Sequence, residues 1–90
     1  MTIQYFAYLR NITGCKQEPW PAEPDVRALL RSLCERHGAA LRRKLFLPGS
    51  EDLGDVIIMV NGRHIAHIGE LDAALRDGDT VQIFPVVAGG

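Results

Sequence analysis

Cysteine is scarce in this chain. Cys15 and Cys34 are the only two among 90 residues. Two are too few for a disulfide scaffold, and no C-x-x-C pair offers a metal site. Both read as free thiols. Cys15 falls in a predicted loop, where redox chemistry is open to it, but no neighbouring residue supports such a role. An excess of one charge is also missing. The formal net charge is −1, so the electrostatic footprint of a nucleic-acid binder is absent. Charges of both signs are scattered, with no block that reads as a tail. No apolar run approaches the roughly 18–20 residues that span a bilayer. The opening "MTIQYFAYLR" carries no leading charged region and does not resemble a signal peptide, so a cytoplasmic protein is expected. "LPGSEDLGD" lacks the lysine and the spacing of a phosphate-binding loop, so any ATP would be bound by a partner.

What is present is enough for one modest core. The hydrophobic fraction of 47% is ordinary for a globular protein, and a single domain over 1–90 is expected. Residues 2–10, "TIQYFAYLR", alternate and predict a strand. "NITGCKQ" is a turn-rich link, and "QEPW" holds a short strand that Pro19, Pro21 and Pro24 confine to an edge and keep short. Asp25 predicts a helix N-cap. Val26, Leu29, Leu30, Leu33 and Cys34 then give the apolar stripe of an amphipathic helix, which Gly38 stops. Residues 39–46 read as another helical turn or two, and 47–55 as a loop. "VIIMVN" reads as a short buried strand, and Asn61-Gly62 turns the chain into a return strand, "RHIAHI". A short helical turn and an Asp-Gly turn precede the last strand, "TVQIFPV". One main helix among several strands predicts an α+β fold, a sheet covered on one face. The first and last strands are candidates for parallel neighbours at its centre.

Two phenylalanines stand on the side of these strands that should face water. Gln82 marks the solvent face of the last strand, which puts Phe84 there too. Gln4 does the same for Phe6 and Tyr8. Contiguous exposed apolar surface marks a partner site. The competing reading folds residues 39–55 over the patch and buries it. Beyond Pro85 the chain reads "VVAGG". Gly89 and Gly90 have no Cβ, so another protein's active site can close around their backbone. The one reactive group in that reach is the terminal carboxylate, which becomes electrophilic only after activation.

"DGDTVQIFPVVAGG", "FAYLRNITG" and "VNGRHI" together resemble the molybdopterin synthase small subunit and its relatives, the MoaD/ThiS-type ubiquitin-like sulfur carriers. The resemblance implies a β-grasp fold, a mixed sheet of four to five strands with a flexible tail over 86–90. It implies that an E1-like adenylyltransferase of the MoeB/ThiF type uses ATP to adenylate Gly90. A persulfide donor then supplies sulfur, leaving a thiocarboxylate that a molybdopterin synthase large subunit consumes. Ala88 and Gly89 would thread the tail, and Phe6, Phe84, Pro85 and His64 would face the partner. The chain itself would hold no cofactor and carry no catalytic residue. The alternatives are a sulfur carrier for thiamine, cysteine or tungsten-cofactor formation, or a ubiquitin-like modifier or interaction module.

Other candidates have plainer readings. His64 and His67 would lie on opposite faces of a strand, which argues against a metal site. His37 suits the helix C-terminal dipole. A Cys34–His37 dyad conflicts with Cys34 on the buried stripe. Arg42, Arg43 and Lys44 form either a solvated face or a docking aid for an acidic partner.

Overall fold

Alternation sets the two central strands. In Thr2–Tyr5 (β1), Ile3 and Tyr5 are buried while Thr2 and Gln4 turn outward. In Thr80–Pro85 (β5), Val81 and Ile83 are buried in the same way. The two strands pair in parallel, Ile3 opposite Val81 and Tyr5 opposite Ile83, as the sequence suggests. These relationships come from a computed structural model that describes residues 1–86. Gln17–Pro19 (β2) pairs antiparallel with β1 at one edge. Val56–Val60 (β3) pairs antiparallel with the other side of β5, and Arg63–His64 (β4) closes the far edge. The strand order is β2-β1-β5-β3-β4. Asn61 and Gly62 both have positive φ, 51° and 82°, as the predicted tight hairpin turn requires.

Helix Val26–His37 crosses one face of this sheet. The Asp25 carboxylate accepts from the Ala28 N–H at 2.8 Å. Its stripe of Val26, Leu29, Leu30, Leu33 and Cys34 is buried in one cluster with Ile3, Ile58, Val81 and Ile83. A mixed sheet with one main helix on one face is the β-grasp arrangement. None of the described helices is long and apolar enough to cross a membrane.

Three segments depart from the sequence reading. The first strand stops at Tyr5, because Ala7 takes a positive φ of 52° and helix Leu9–Thr13 follows. Leu9 is buried all the same, so alternation and a helical turn make the same demand on that residue. The return strand ends at His64, whose Nδ1 accepts from the Ala66 N–H at 3.0 Å and opens a 3-10 turn, Ile65–His67. Burying Ile65 is what that turn achieves. Residues 39–55 contain helix Ala39–Leu45, whose Leu41 and Leu45 enter the core, and a bridge between Phe46 and Leu53. In chain order these helices are α1 (Leu9–Thr13), α2 (Val26–His37) and α3 (Ala39–Leu45). An ion pair between Arg31 and Glu51 ties the loop to α2. The loop therefore packs on the helix side and leaves the other face of the sheet uncovered. Gly54 sits against the end of α3, where a Cβ would lie 2.5 Å from the Lys44 carbonyl oxygen.

A polar knot holds edge strand β2 to the helix. Glu18 accepts from the Tyr5 hydroxyl at 2.6 Å and lies 2.6 Å from His37 Nε2, with Arg36 Nε at 3.5 Å. His37 does stand in the last turn of α2, but its ring is engaged by this carboxylate. Burial, and then the hydrogen bond to Glu18, push the Tyr5 hydroxyl well above its ordinary value of 10.0.

Two predictions follow from this packing. Leu30→Ala should lower stability by about 2–4 kcal/mol, because it empties a fully buried site; an unshifted denaturation midpoint would refute the stripe. The second concerns alkaline pH. The unfolded chain releases the tyrosine proton near pH 10 while the folded chain keeps it. Stability from Tyr5 is therefore complete below about pH 10 and declines as pH rises beyond it. Tyr5→Phe should flatten that decline in denaturant titrations, and an unchanged slope would contradict the assignment.

Candidate partner-docking site

The uncovered face of the sheet carries two rows of side chains. One row runs Gln17, Gln4, Gln82, Met59, His64 across all five strands, as the register dictates. Its glutamines bond each other: Gln82 Nε2 donates to Gln4 Oε1 at 3.0 Å, and Gln4 Nε2 donates to Gln17 Oε1 at 3.4 Å. The neighbouring row is apolar. Phe6 and Phe84 stack with ring centroids 4.1 Å apart and planes 13° from parallel. Ile57, opposite Phe84 on β3, continues the row and is 37% exposed. Phe6 keeps its place although it lies past β1, since its N–H still donates to the Ile83 carbonyl at 3.1 Å.

The stack leaves each phenylalanine half-buried against the other. Aromatic stacking of this kind favours the folded state while keeping apolar area in view of a partner. Arg10 lies over the Phe6 ring, its guanidinium carbon 5.5 Å from the centroid. Tyr8, expected outward as part of a strand, is 37% exposed, but from the turn into α1.

Pro85 ends β5 opposite Val56, half-buried, directly after Phe84. Val86 follows, 46% exposed, and its N–H donates to the Asp55 carbonyl at 2.9 Å. The chain thus leaves the sheet beside the phenylalanine stack. Ala88, Gly89 and Gly90, the tail residues singled out in the sequence, lie outside the described residues. His64 stands two strands from Phe84, in the glutamine row, so it borders the apolar row without joining the stack.

Ile57 and Met59 belong to this face, and the sequence reading missed both. Five consecutive apolar residues show no alternation, so "VIIMV" reads as buried on both sides. In the structure only Val56, Ile58 and Val60 are buried. The signal was available in the partner strand, because a sheet with Gln4 and Gln82 outward must turn alternate residues of β3 outward as well.

The remaining chemical candidates are quiet. Cys34 is buried, and burial pushes its thiol pKa up, away from a reactive thiolate. Cys15 is half-buried, with Sγ 3.8 Å from the Thr13 hydroxyl. His64 and His67, expected on opposite faces, come together in the 3-10 turn with ring centroids 6.1 Å apart. Among the described residues no group of three or more His, Cys, Asp or Glu side chains is arranged to hold a metal ion.

Comparison with known proteins places this geometry. The model of the ThiS family matches residues 3–90. Small archaeal modifier protein 3 of Haloferax volcanii is 37% identical over 93 residues, covering 100% of this chain and 98% of that protein. The solution structure of small archaeal modifier protein 1 from Methanosarcina acetivorans superimposes with a TM-score of 0.86 at 34% identity, covering 99% of this chain and 94% of that one. A provisionally named molybdopterin converting factor subunit 1 from Pyrococcus furiosus gives a TM-score of 0.72 at 36% identity, covering 96% and 95%. A mixed sheet with one main helix, an apolar row on its open face and a family match across nearly the whole chain agree: the chain belongs to the ThiS family of small ubiquitin-like carrier and modifier proteins.

Proposed function

We propose that this protein is a cytoplasmic sulfur carrier that works through the carboxylate of Gly90. The observation that carries the reading is the Phe6–Phe84 stack beside the point where β5 leaves the sheet. An enzyme that docks on the stack has the residues after Val86 within reach. Val87 to Gly90 span about 13 Å when extended, at roughly 3.3 Å per residue. Gly89 and Ala88 offer little side-chain bulk to a narrow channel.

The chemistry runs on the partner. An E1-like adenylyltransferase binds ATP, and a Gly90 carboxylate oxygen attacks the α-phosphorus with loss of pyrophosphate. The acyl adenylate is then attacked by the terminal sulfur of a persulfide, and AMP leaves. A second thiol cleaves the resulting S–S bond, giving a disulfide and the Gly90 thiocarboxylate. This chain supplies the carboxylate and the docking face, with Phe6, Phe84, Pro85 and bordering His64 on the interface. The acceptor in the first reading is the large subunit of molybdopterin synthase, which uses the sulfur to build the cofactor's dithiolene. Similarity to the Pyrococcus furiosus protein supports it.

A second reading keeps the same activation and changes the acceptor. Similarity to small archaeal modifier protein 3 favours transfer of Gly90 to an amine on another protein. The two readings diverge only after adenylation.

Intact mass spectrometry after incubation with the E1-like enzyme, ATP and a persulfide source tests the sulfur-carrier reading. One oxygen should be exchanged for sulfur, and the exchange should vanish when Gly90 is deleted or one residue is added after it. An unchanged mass with an enzyme active on another carrier would count against the carrier reading. Phe84→Ala should weaken binding to the same enzyme by roughly 1–3 kcal/mol while the fold persists. Equal affinities in titration calorimetry would remove the stack from the interface.

A further inference from the structure

Of the ten lysine and arginine side chains, three meet a carboxylate among the described residues and seven do not. On α2, Arg27 faces Asp72, Arg31 pairs with Glu51, and Arg36 faces Glu18. Lys16, Arg63 and Arg76 have no such pair, and the same holds for a set of four, Arg10, Arg42, Arg43 and Lys44. None of them has a carboxylate within ion-pair distance among the described residues. Three of the four lie over aromatic rings instead. Arg10 is 5.5 Å from the Phe6 centroid, Lys44 is 5.2 Å from that of Tyr8, and Arg42 is 5.4 Å from that of Phe46. A ring face holds a cation in place without neutralising it.

Two of these cations stand beside the apolar row, Arg10 over Phe6 and Lys44 over Tyr8, two residues further along the chain. Arg10 rests on one member of the stack, and its Nε donates to the Tyr5 carbonyl at 2.9 Å, which fixes the guanidinium. Lys44 stands near the end of α3, where the Leu45 carbonyl accepts from the Gly54 N–H at 2.8 Å. The next residue, Asp55, accepts from Val86 through its backbone. The exit of β5 is therefore bordered by Arg10 on one side and the end of α3 on the other. Asp55 is the acidic residue of that strip.

We propose that the partner face covering the Phe6–Phe84 stack is rimmed with carboxylates, which Arg10 and Lys44 engage while Arg42 and Arg43 steer the approach. The inference rests on the carrier reading and adds the partner's charge to it. Charge complementarity is the argument. Arg10 and Lys44 are held over aromatic rings at and beside the apolar row, and among the described residues neither has a carboxylate within ion-pair distance to neutralise it. Rim charges of this kind raise association rates and lose their effect in salt.

The experiment is ATP–pyrophosphate exchange by the E1-like enzyme, with the intact chain as varied substrate, at about 50 mM and about 500 mM salt. For Arg10→Glu/Lys44→Glu we expect the half-saturating concentration to rise at least about tenfold at low salt and to approach wild type at high salt. The maximal rate should be unchanged. Arg43→Glu/Lys44→Glu should behave alike, and it spares the Arg10 bond to Tyr5 should the first variant fold poorly. Phe84→Ala should weaken both salt conditions equally. Wild-type values in the charge-reversed variants, with Phe84→Ala still impaired, overturn the acidic rim and leave the carrier reading intact. No exchange with the wild-type chain removes the carrier reading itself. Salt-sensitive self-association in sedimentation, with no enzyme effect of the charge reversals, assigns the face to a second copy and also overturns the proposal.

Discussion

Parallel pairing of Thr2–Tyr5 with Thr80–Pro85 joins the two ends of the chain, and the other elements take their positions from that ladder. Parallel neighbours cannot be linked by a tight hairpin, so everything between them forms the crossover. The α2 stripe covers Ile3, Tyr5, Val81 and Ile83 from one side. Strands β2 and β3 extend the ladder outward, one on each flank. The same pairing brings Phe6 against Phe84, residues that no local interaction would unite. One register thus sets both the core and the apolar row opposite to it, because a shift of a single residue would exchange the faces.

Much of this is legible in the sequence. Asp25 and the stripe after it announced α2, since a cap and a 3.6-residue period are local signals. Asn61-Gly62 announced its turn for the same reason. Gln4 and Gln82 announced the outward face, and with it Phe6 and Phe84. What escaped depended on distant partners. Leu9 serves a strand or a helix equally well, so the break at Ala7 was hidden. Ile65 is drawn inward by the core, which ends β4 two residues after it starts. Ile57 and Met59 were concealed inside a run with no polar member. The Glu18 knot escaped because Tyr5, Glu18 and His37 meet only once β2, β1 and α2 are assembled. The glycine tail was legible as sequence, through resemblance and residue chemistry, and its geometry belongs to residues 87–90, outside the described part.

The two faces of the sheet divide the work. On the helix side, α2, α3 and residues 46–55 enclose the core, and Glu51, Asp72 and Glu18 face the arginines of α2. Among the described residues neither helix nor loop covers the open side. A glutamine row, bonded strand to strand, occupies the middle, and the aromatic row lies next to the chain's exit. Covering that side with residues 39–55 would have buried the stack. Instead Leu41, Leu45 and Phe46 draw the segment into the core. Gly54 permits the close return that keeps it there. The open face also suits recognition better than either edge does. β2 is three residues long with Pro19 at its end, and β4 is two, so neither offers a ladder for strand addition.

The position of β5 has a mechanical consequence. It is hydrogen-bonded along both sides, parallel to β1 and antiparallel to β3. A pull on the chain beyond Val86, directed along the strand, loads both ladders in shear, and many hydrogen bonds must yield together. An edge strand pulled outward would peel one bond at a time. The strand that leads toward the glycines is therefore anchored by two ladders that resist such a pull together.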